Sequence, residues 1–479
     1  MDRGKSGANF RDVNENPCNM CMPMGGILVL KGLEHCMVII HGSQGCATYM
    51  RRHMAEHFNE PVDVASSSLN EKGTIYGGEQ NLKKGLDNII KAYQPKVIGI
   101  LTTCLAETIG EDIGRISQEY LTERDYGDLT VITVNTPGYG GTHSEGYWLT
   151  LKKIVAKLAR KTETHNKINV IVPNISPADI REIKRVLQLM QMEYILLPDF
   201  SDTMDRPYER PYKKMPEGGT KLADIAAMGG AVATIQLGLT VDDSMSPGKY
   251  LEKEFGVPLY NLPLPMGIEN TDLFMNVLQE LSGNPLPTCL EQERGRLLDC
   301  MIDSHKYNGQ GRSVIYGEPE NVYGVVKTCI ENGIHPVVVA TGSKNLKLAQ
   351  LLDECLANAP IECTVLTETD FTTIRLKSRG KANIAIGSSD GKYLTEREGI
   401  PLVRYGFPIL DRTGGQRLLS ICYAGTTMFL DRVTNTLLEN KHKNYRDSMY
   451  QMFYQGEQEG QELSTESCGE QHVMLMQSN

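Results

Sequence analysis

Short apolar runs alternate along the chain with longer stretches in which apolar residues recur at helical spacing. Unbroken apolar runs suit strands buried on both faces, and the amphipathic stretches suit the helices that cover them. The pattern predicts strands at 35–40, 97–101 and 130–134 in a first block. It predicts strands at 168–172, 194–197, 232–237 and 258–262 in a second, after the polar stretch 160–167. A helix at 289–307 leads to a third block with strands at 314–316, 336–340, 364–366, 382–386 and 402–404, closed by a helix at 423–438.

This alternation predicts an α/β fold of three similarly built domains, with parallel sheets flanked by helices. The expected bounds are 1–160, 168–305 and 306–440. The segment 441–479, rich in Gln, Glu, Ser and Lys, is expected to form a polar, disordered tail. Open α/β sheets bind ligands beyond the carboxyl ends of their strands, so three such sheets facing one another predict a central cleft.

Composition narrows the class. A length of 479 residues buries large cores without disulfides or metals as staples. The net charge of −10, from 49 basic against 59 acidic residues, argues against a nucleic-acid partner. No apolar run is long enough for a membrane span, and the polar start lacks the apolar core of a secretory signal, so a cytoplasmic location is expected. There is no G-x-x-x-x-G-K-[ST] and no G-x-G-x-x-G after a strand, so neither P-loop nor dinucleotide binding is supported.

Cysteine placement changes the picture most. Of 12 cysteines, Cys18, Cys21, Cys36, Cys46 and Cys104 fall in the first quarter. Cys46 and Cys104 each follow a predicted strand and open a helical stretch, and Cys21 precedes Pro23, which suits a helix's first turn. Helix starts stabilise thiolates. The soft ligand set favours zinc, copper(I) or iron–sulfur. With one C-x₂-C and the rest dispersed, a bulky cluster fits better than a structural zinc site. Three thiolates do not fill a four-cysteine cluster, so the fourth would be Cys18 or would come from another chain. Cys36, within a strand, and the scattered later cysteines are expected to be packing or surface thiols.

Two other patterns compete. His53-Met54-Ala55-Glu56-His57 matches the H-x-x-E-H of inverted zinc proteases, without an identifiable third ligand. The glycine loop Gly138-Tyr139-Gly140-Gly141-Thr142-His143 is expected to be a βα turn, with close packing against a cluster as the alternative. Gly406-Phe407-Pro408 and Asp411-Arg412 follow the last strand and either line the cleft or shape a loop.

Taken together, these stretches resemble nitrogenase component 1 and its relatives. The similarity runs through Met22-Pro23-Met24-Gly25-Gly26, His41-Gly42-Ser43-Gln44-Gly45-Cys46 and Leu101-Thr102-Thr103-Cys104-Leu105-Ala106-Glu107-Thr108-Ile109-Gly110-Glu111-Asp112. Asn135-Thr136-Pro137, Tyr405-Gly406-Phe407-Pro408 and Gly425 extend it over nearly the whole chain. Asn16-Pro17-Cys18-Asn19-Met20-Cys21 and the region 196–205 followed by 216–220 resemble the NifN-type branch, the β-type subunit of the scaffold that matures the iron–molybdenum cofactor.

The resemblance implies three Rossmann-like domains in an α2β2 heterotetramer with a homologous, NifE-like α-type subunit. It implies that the reductase iron protein docks on the complex. Cys21, Cys46 and Cys104 fall on the β-side ligands of an iron–sulfur cluster shared with the α-type chain, a [4Fe–4S] in a scaffold and a P-cluster in a catalytic protein. Cys18 is an additional candidate ligand. The iron–molybdenum cofactor precursor is held mainly by the partner chain. Two functions follow: a cofactor-assembly scaffold, taken as the leading expectation, or the β subunit of a catalytic nitrogenase or nitrogenase-like reductase.

Overall fold

Every pairing between strands in the computed structural model, which describes residues 18–124, 126, 128–357 and 360–455, is parallel. The first sheet holds β1 (Cys36–His41), β2 (Val64–Ser66), β3 (Val97–Thr102) and β4 (Thr130–Val134). The second holds β5 (Ile168–Ile171), β6 (Tyr194–Leu197), β7 (Thr234–Gln236) and β8 (Leu259–Asn261). The third holds β9 (Arg312–Tyr316), β10 (His335–Ala340), β11 (Thr364–Leu366), β12 (Ile384–Gly387) and β13 (Leu402–Arg404).

The inner strands form because their residues are apolar without interruption. All of β1 and all of β3 are buried, which requires cover on both faces. One cover is the helix Met22–Lys31, buried at every position. It sits close because Gly99 in β3 has no side chain: a Cβ there would lie 2.2 Å from the Leu30 side chain. A single apolar core runs through the first two sheets, joining Val38 and Leu101 to Val170 and Ile235. The third sheet packs its own clusters, around Ile315, Val339 and Phe429 on one side and Val314, Val338 and Phe371 on the other.

Strand orders are β2-β1-β3-β4, β6-β5-β7-β8 and β11-β10-β9-β12-β13. Each reverses direction between two inner strands, β1/β3, β5/β7 and β9/β12. The crevice at such a reversal is where α/β sheets place ligands. The carboxyl ends of the second and third sheets face one another across short polar contacts, and His143, beyond β4 of the first sheet, reaches Glu318 at 3.1 Å. Asn174, after β5, donates to Glu318, after β9, at 2.7 Å, and Thr240, after β7, donates its hydroxyl to Glu320 at 2.6 Å.

The pattern-based elements differ from the structure in three places. β2 is a half-buried edge strand of three residues, and Asp63 just before it interrupts the apolar run. The helix expected after Cys104 is broken into Cys104–Thr108 and Ile113–Arg124, with Gly110 at φ +79° between them. The closing helix runs from Cys422 to Tyr450, well past 438. Its buried positions end at Leu437, and the exposed remainder is helical because Lys, Arg, Glu and Met favour helix without packing. The tail beyond 455 lies outside the described residues.

Candidate cluster site at the switch point of the first sheet

Cys46 and Cys104 follow β1 and β3, the neighbouring strands at which the first sheet reverses. Cys46 lies in the first turn of the helix Gln44–Phe58, and Cys104 opens the helix Cys104–Thr108. Cys21 is the extended N-cap residue of the helix Met22–Lys31, with proline in the first turn as its sequence suggests. It is held by a backbone bridge to Thr142.

The three thiols share one neighbourhood. Burial raises the pKa of Cys21, and the charges of Cys104 and Cys46 raise it further. Gly138 joins them. Its N–H donates to Cys104 Sγ at 3.1 Å, and a Cβ there would stand 3.2 Å from that sulfur and 3.7 Å from Cys21 Sγ. The glycine loop is therefore more than a turn: it carries an amide donor and leaves room beside two sulfurs. Ser43 donates its hydroxyl to Cys46 Sγ at 3.5 Å. Cys21 and Cys104 are exposed and Cys46 is partly buried, so the group of sulfurs opens outward.

These features test what the site could hold. No three His, Cys, Asp or Glu side chains among the described residues converge tightly enough for a single metal ion. Three spaced thiols at helix starts, an N–H···S donor and side-chain-free space beside the sulfurs fit an iron–sulfur group, which spreads its thiolates around its periphery.

Cys18 lies elsewhere. It is buried in the apolar cluster of the third sheet with Tyr316 and Phe371. Burial pushes its pKa far up, and the charges that add to this are Asp390 and Asp370, not the other three cysteines. Cys36 packs inside β1 as expected, its thiol pushed up to about 12 by burial. Cys468 falls outside the described residues.

The zinc-protease pattern does not assemble. His57 is buried, accepts the Ile409 N–H at Nδ1 at 2.9 Å and packs edge-on against Phe58 and Phe407; burial lowers its pKa to about 3. His53 bonds the Tyr49 carbonyl at 2.9 Å, and Glu56 pairs with Arg52 at 2.7 Å. Each of the three has its own partner, and they form no group able to hold one metal ion among the described residues. The last-strand loop shapes the fold: Phe407 fills the space beside His57 and His143, and Arg404 holds Asp411 at 2.7 Å. Burial works against the Asp411 charge, but hydrogen bonds from Arg404 and Ser389 outweigh it and hold the pKa at about 2.

Sequence reasoning missed His143. Its Nδ1 accepts the N–H of Met20, the neighbour of Cys21, at 3.2 Å, and its Nε2 faces Glu318 at 3.1 Å. It anchors the Cys21 segment to the centre of the molecule. The available signal was a histidine directly following a capping threonine; its partners lie far away in sequence.

Known proteins resemble this chain over most of its length. The family model described as "Nitrogenase component 1 type Oxidoreductase" matches residues 21–438. The nitrogenase molybdenum-iron protein beta chain of Clostridium pasteurianum is 37% identical over 433 residues, spanning 88% of this chain and 93% of the relative. The nitrogenase vanadium-iron protein beta chain of Trichormus variabilis is 32% identical over 444 residues, spanning 89% and 95%. A solved structure titled "Nitrogenase Cp1 at pH 6.5" superposes with a TM-score of 0.85 at 35% identity, covering 89% of this chain and 94% of that one. These relatives carry the names of nitrogenase proteins, not of a cofactor-assembly scaffold. No helix among the described residues is long and apolar enough to cross a membrane. With its match over 21–438 and its three parallel sheets, the chain belongs to the nitrogenase component 1 family.

Proposed function

We propose that this chain is the β-type subunit of a nitrogenase or nitrogenase-like reductase. It supplies half of the ligands of an iron–sulfur centre that a homologous α-type chain completes in an α2β2 assembly. The observation that carries this is the outward-facing set Cys21, Cys46 and Cys104 with Gly138 against two of the sulfurs. The set is a full three-thiol half-site, and a half-site on an exposed face calls for a partner surface. The names of the relatives favour this reading over the scaffold taken as the leading expectation.

When bound, an iron–sulfur centre supplies one-electron transfer, at a potential set by its thiolates, hydrogen bonds and burial. In this chain, Cys21, Cys46 and Cys104 would hold it. The Gly138 N–H and Ser43 hydroxyl stabilise negative charge on sulfur, and His143 holds the Cys21 segment in place. The cofactor at which substrate is reduced, or its precursor, belongs to the α-type chain. The reductase iron protein is the electron donor.

The test is anaerobic purification of this chain with its α-type partner. Iron and sulfide are assayed, and the complex is then mixed with reductase and ATP. Substrate reduction by the complex itself is expected. Absence of reduction, with activation of a cofactor-free nitrogenase when molybdate and homocitrate are added, would restore the scaffold reading.

A further inference from the structure

His41, at the carboxyl end of β1, is fully buried and belongs to a closed hydrogen-bond chain. Its Nε2 lies 3.3 Å from Glu111 Oε2, and its Nδ1 lies 3.0 Å from Ser67 Oγ. With a carboxylate opposite Nε2, that nitrogen carries the proton and donates, and Nδ1 accepts from the serine hydroxyl. Ser67 Oγ in turn accepts the Gly42 N–H at 3.1 Å, and the other Glu111 oxygen accepts the Gly78 N–H at 2.5 Å. Every link has one donor and one acceptor.

The same residue grips the Cys104 helix at both ends. The His41 carbonyl accepts the N–H of Thr103, the N-cap of Cys104–Thr108, at 3.1 Å. Its imidazole holds Glu111, just past that helix, whose own N–H bonds Ala106 O at 3.0 Å. The two strand ends touch beside it: a Cβ on Gly42 would fall 2.2 Å from Thr103 Oγ1. Cys46 lies a few residues further along the His41 segment. Resting on the proposed cluster site, we infer that His41 and Glu111 are a positioning pair. They lock the Cys46 and Cys104 segments at one spacing and so tune the electronic state of the group these thiolates share. Buried, fully satisfied networks of this kind rigidify what they join.

The experiment uses the complete anaerobic complex and compares wild type with Glu111→Ala, Glu111→Gln, His41→Ala and Tyr120→Phe. Tyr120→Phe removes a hydrogen bond to Asp87 in the same region without touching His41. Readouts are iron and sulfide content, midpoint potential and the electron paramagnetic resonance spectrum. Glu111→Ala and His41→Ala are expected to keep their iron while shifting the potential and altering the spectrum. Glu111→Gln, which keeps the side-chain length and an acceptor, should shift the potential less. Tyr120→Phe should lower stability and move neither. Wild-type potential and spectrum in both alanine variants would overturn the inference. Should the alanine variants fail to assemble, Glu111→Gln and Ser67→Ala decide on the same readouts. Absence of iron and sulfide from the wild-type complex would instead overturn the proposed function itself.

Discussion

Gly138 presents its N–H to the sulfur of Cys104 at 3.1 Å, and the position its Cβ would take lies 3.2 Å from the same atom. The donor and the vacancy serve one sulfur, so they respond differently to substitution. Gly138→Ala keeps the N–H but forces Cys104 or the loop to give by a few tenths of an ångström. The backbone at 138 is outside the left-handed region, so the strain is confined to that contact. Stability of the complex should change by less than about 1 kcal/mol. The absorption and paramagnetic spectra of the cluster should change. Thermal unfolding and anaerobic spectroscopy on one preparation check both.

The different placements of Cys18 and Cys46 give opposite outcomes. Cys46→Ala removes a thiol from the half-site and should lower the iron and sulfide content of the anaerobic complex. Cys18→Ala opens a small void among Tyr316, Phe371 and their neighbours, at a cost of about 1 kcal/mol, and should leave the iron content unchanged. Iron loss in Cys18→Ala would make it a ligand.

His57 links stability to acid. Burial lowers its folded pKa to about 3, below the ordinary 6.5, so the unfolded chain binds the proton more readily. Its contribution is fully present above pH 6.5 and is lost as pH falls toward 3, at a slope of up to about 1.4 kcal/mol per pH unit. His57→Phe should be less stable at pH 7, because the Ile409 N–H loses its acceptor. Its stability should fall less than wild type's between pH 7 and 5. Denaturant unfolding at the two pH values measures the difference.

Glu320 has the opposite sign. Burial raises its carboxyl pKa to about 7, against hydrogen bonds from the Thr240 side chain and backbone that lower it. Both Thr240 donors reach Oε1, and Oε2 has no hydrogen-bond partner among the described residues. The protonated form is the one the fold accepts. Stability from this group is full below pH 4.5 and declines as pH rises through 7. Glu320→Gln should therefore gain on wild type between pH 5 and 8 by about 1–3 kcal/mol. A difference that does not vary with pH would show that Glu320 does not titrate in that range.

The inner strands were legible because burial on both faces leaves an unbroken apolar signature, as in Val97–Thr102. β2 was not, because Asp63 and Ser66 leave only Val64 and Ala65 as an apolar pair there. The placement of Cys46 and Cys104 at helix starts just after two neighbouring strands was legible, and a parallel sheet puts its ligands at that end. The short spacing of Cys18 and Cys21 did not show that Cys18 lies in the cluster of the third sheet. Between them Asn19 donates to the Gly342 carbonyl at 3.3 Å and draws the chain toward the third sheet. The H-x-x-E-H spacing places its three side chains on one side of a helix, but tertiary partners decide where each goes, and Phe407 and Ile409 take His57 inward. His41 with Glu111, and His143 with Glu318, were invisible for the same reason: each pair is made by the fold, across a long stretch of chain.

The helix Cys422–Tyr450 has one more consequence. Its buried positions stop at Leu437, and the span shared with the family stops at 438, yet the helix continues. Past that point, Asn440 still donates to the Asn383 carbonyl at 3.5 Å, and beyond Asn440 no hydrogen bond or ion pair ties the helix to another element among the described residues. Evolution is free to lengthen or recode this spur without disturbing the sheets, and an experimenter is equally free to attach a label or affinity handle there, remote in packing terms from the sulfurs.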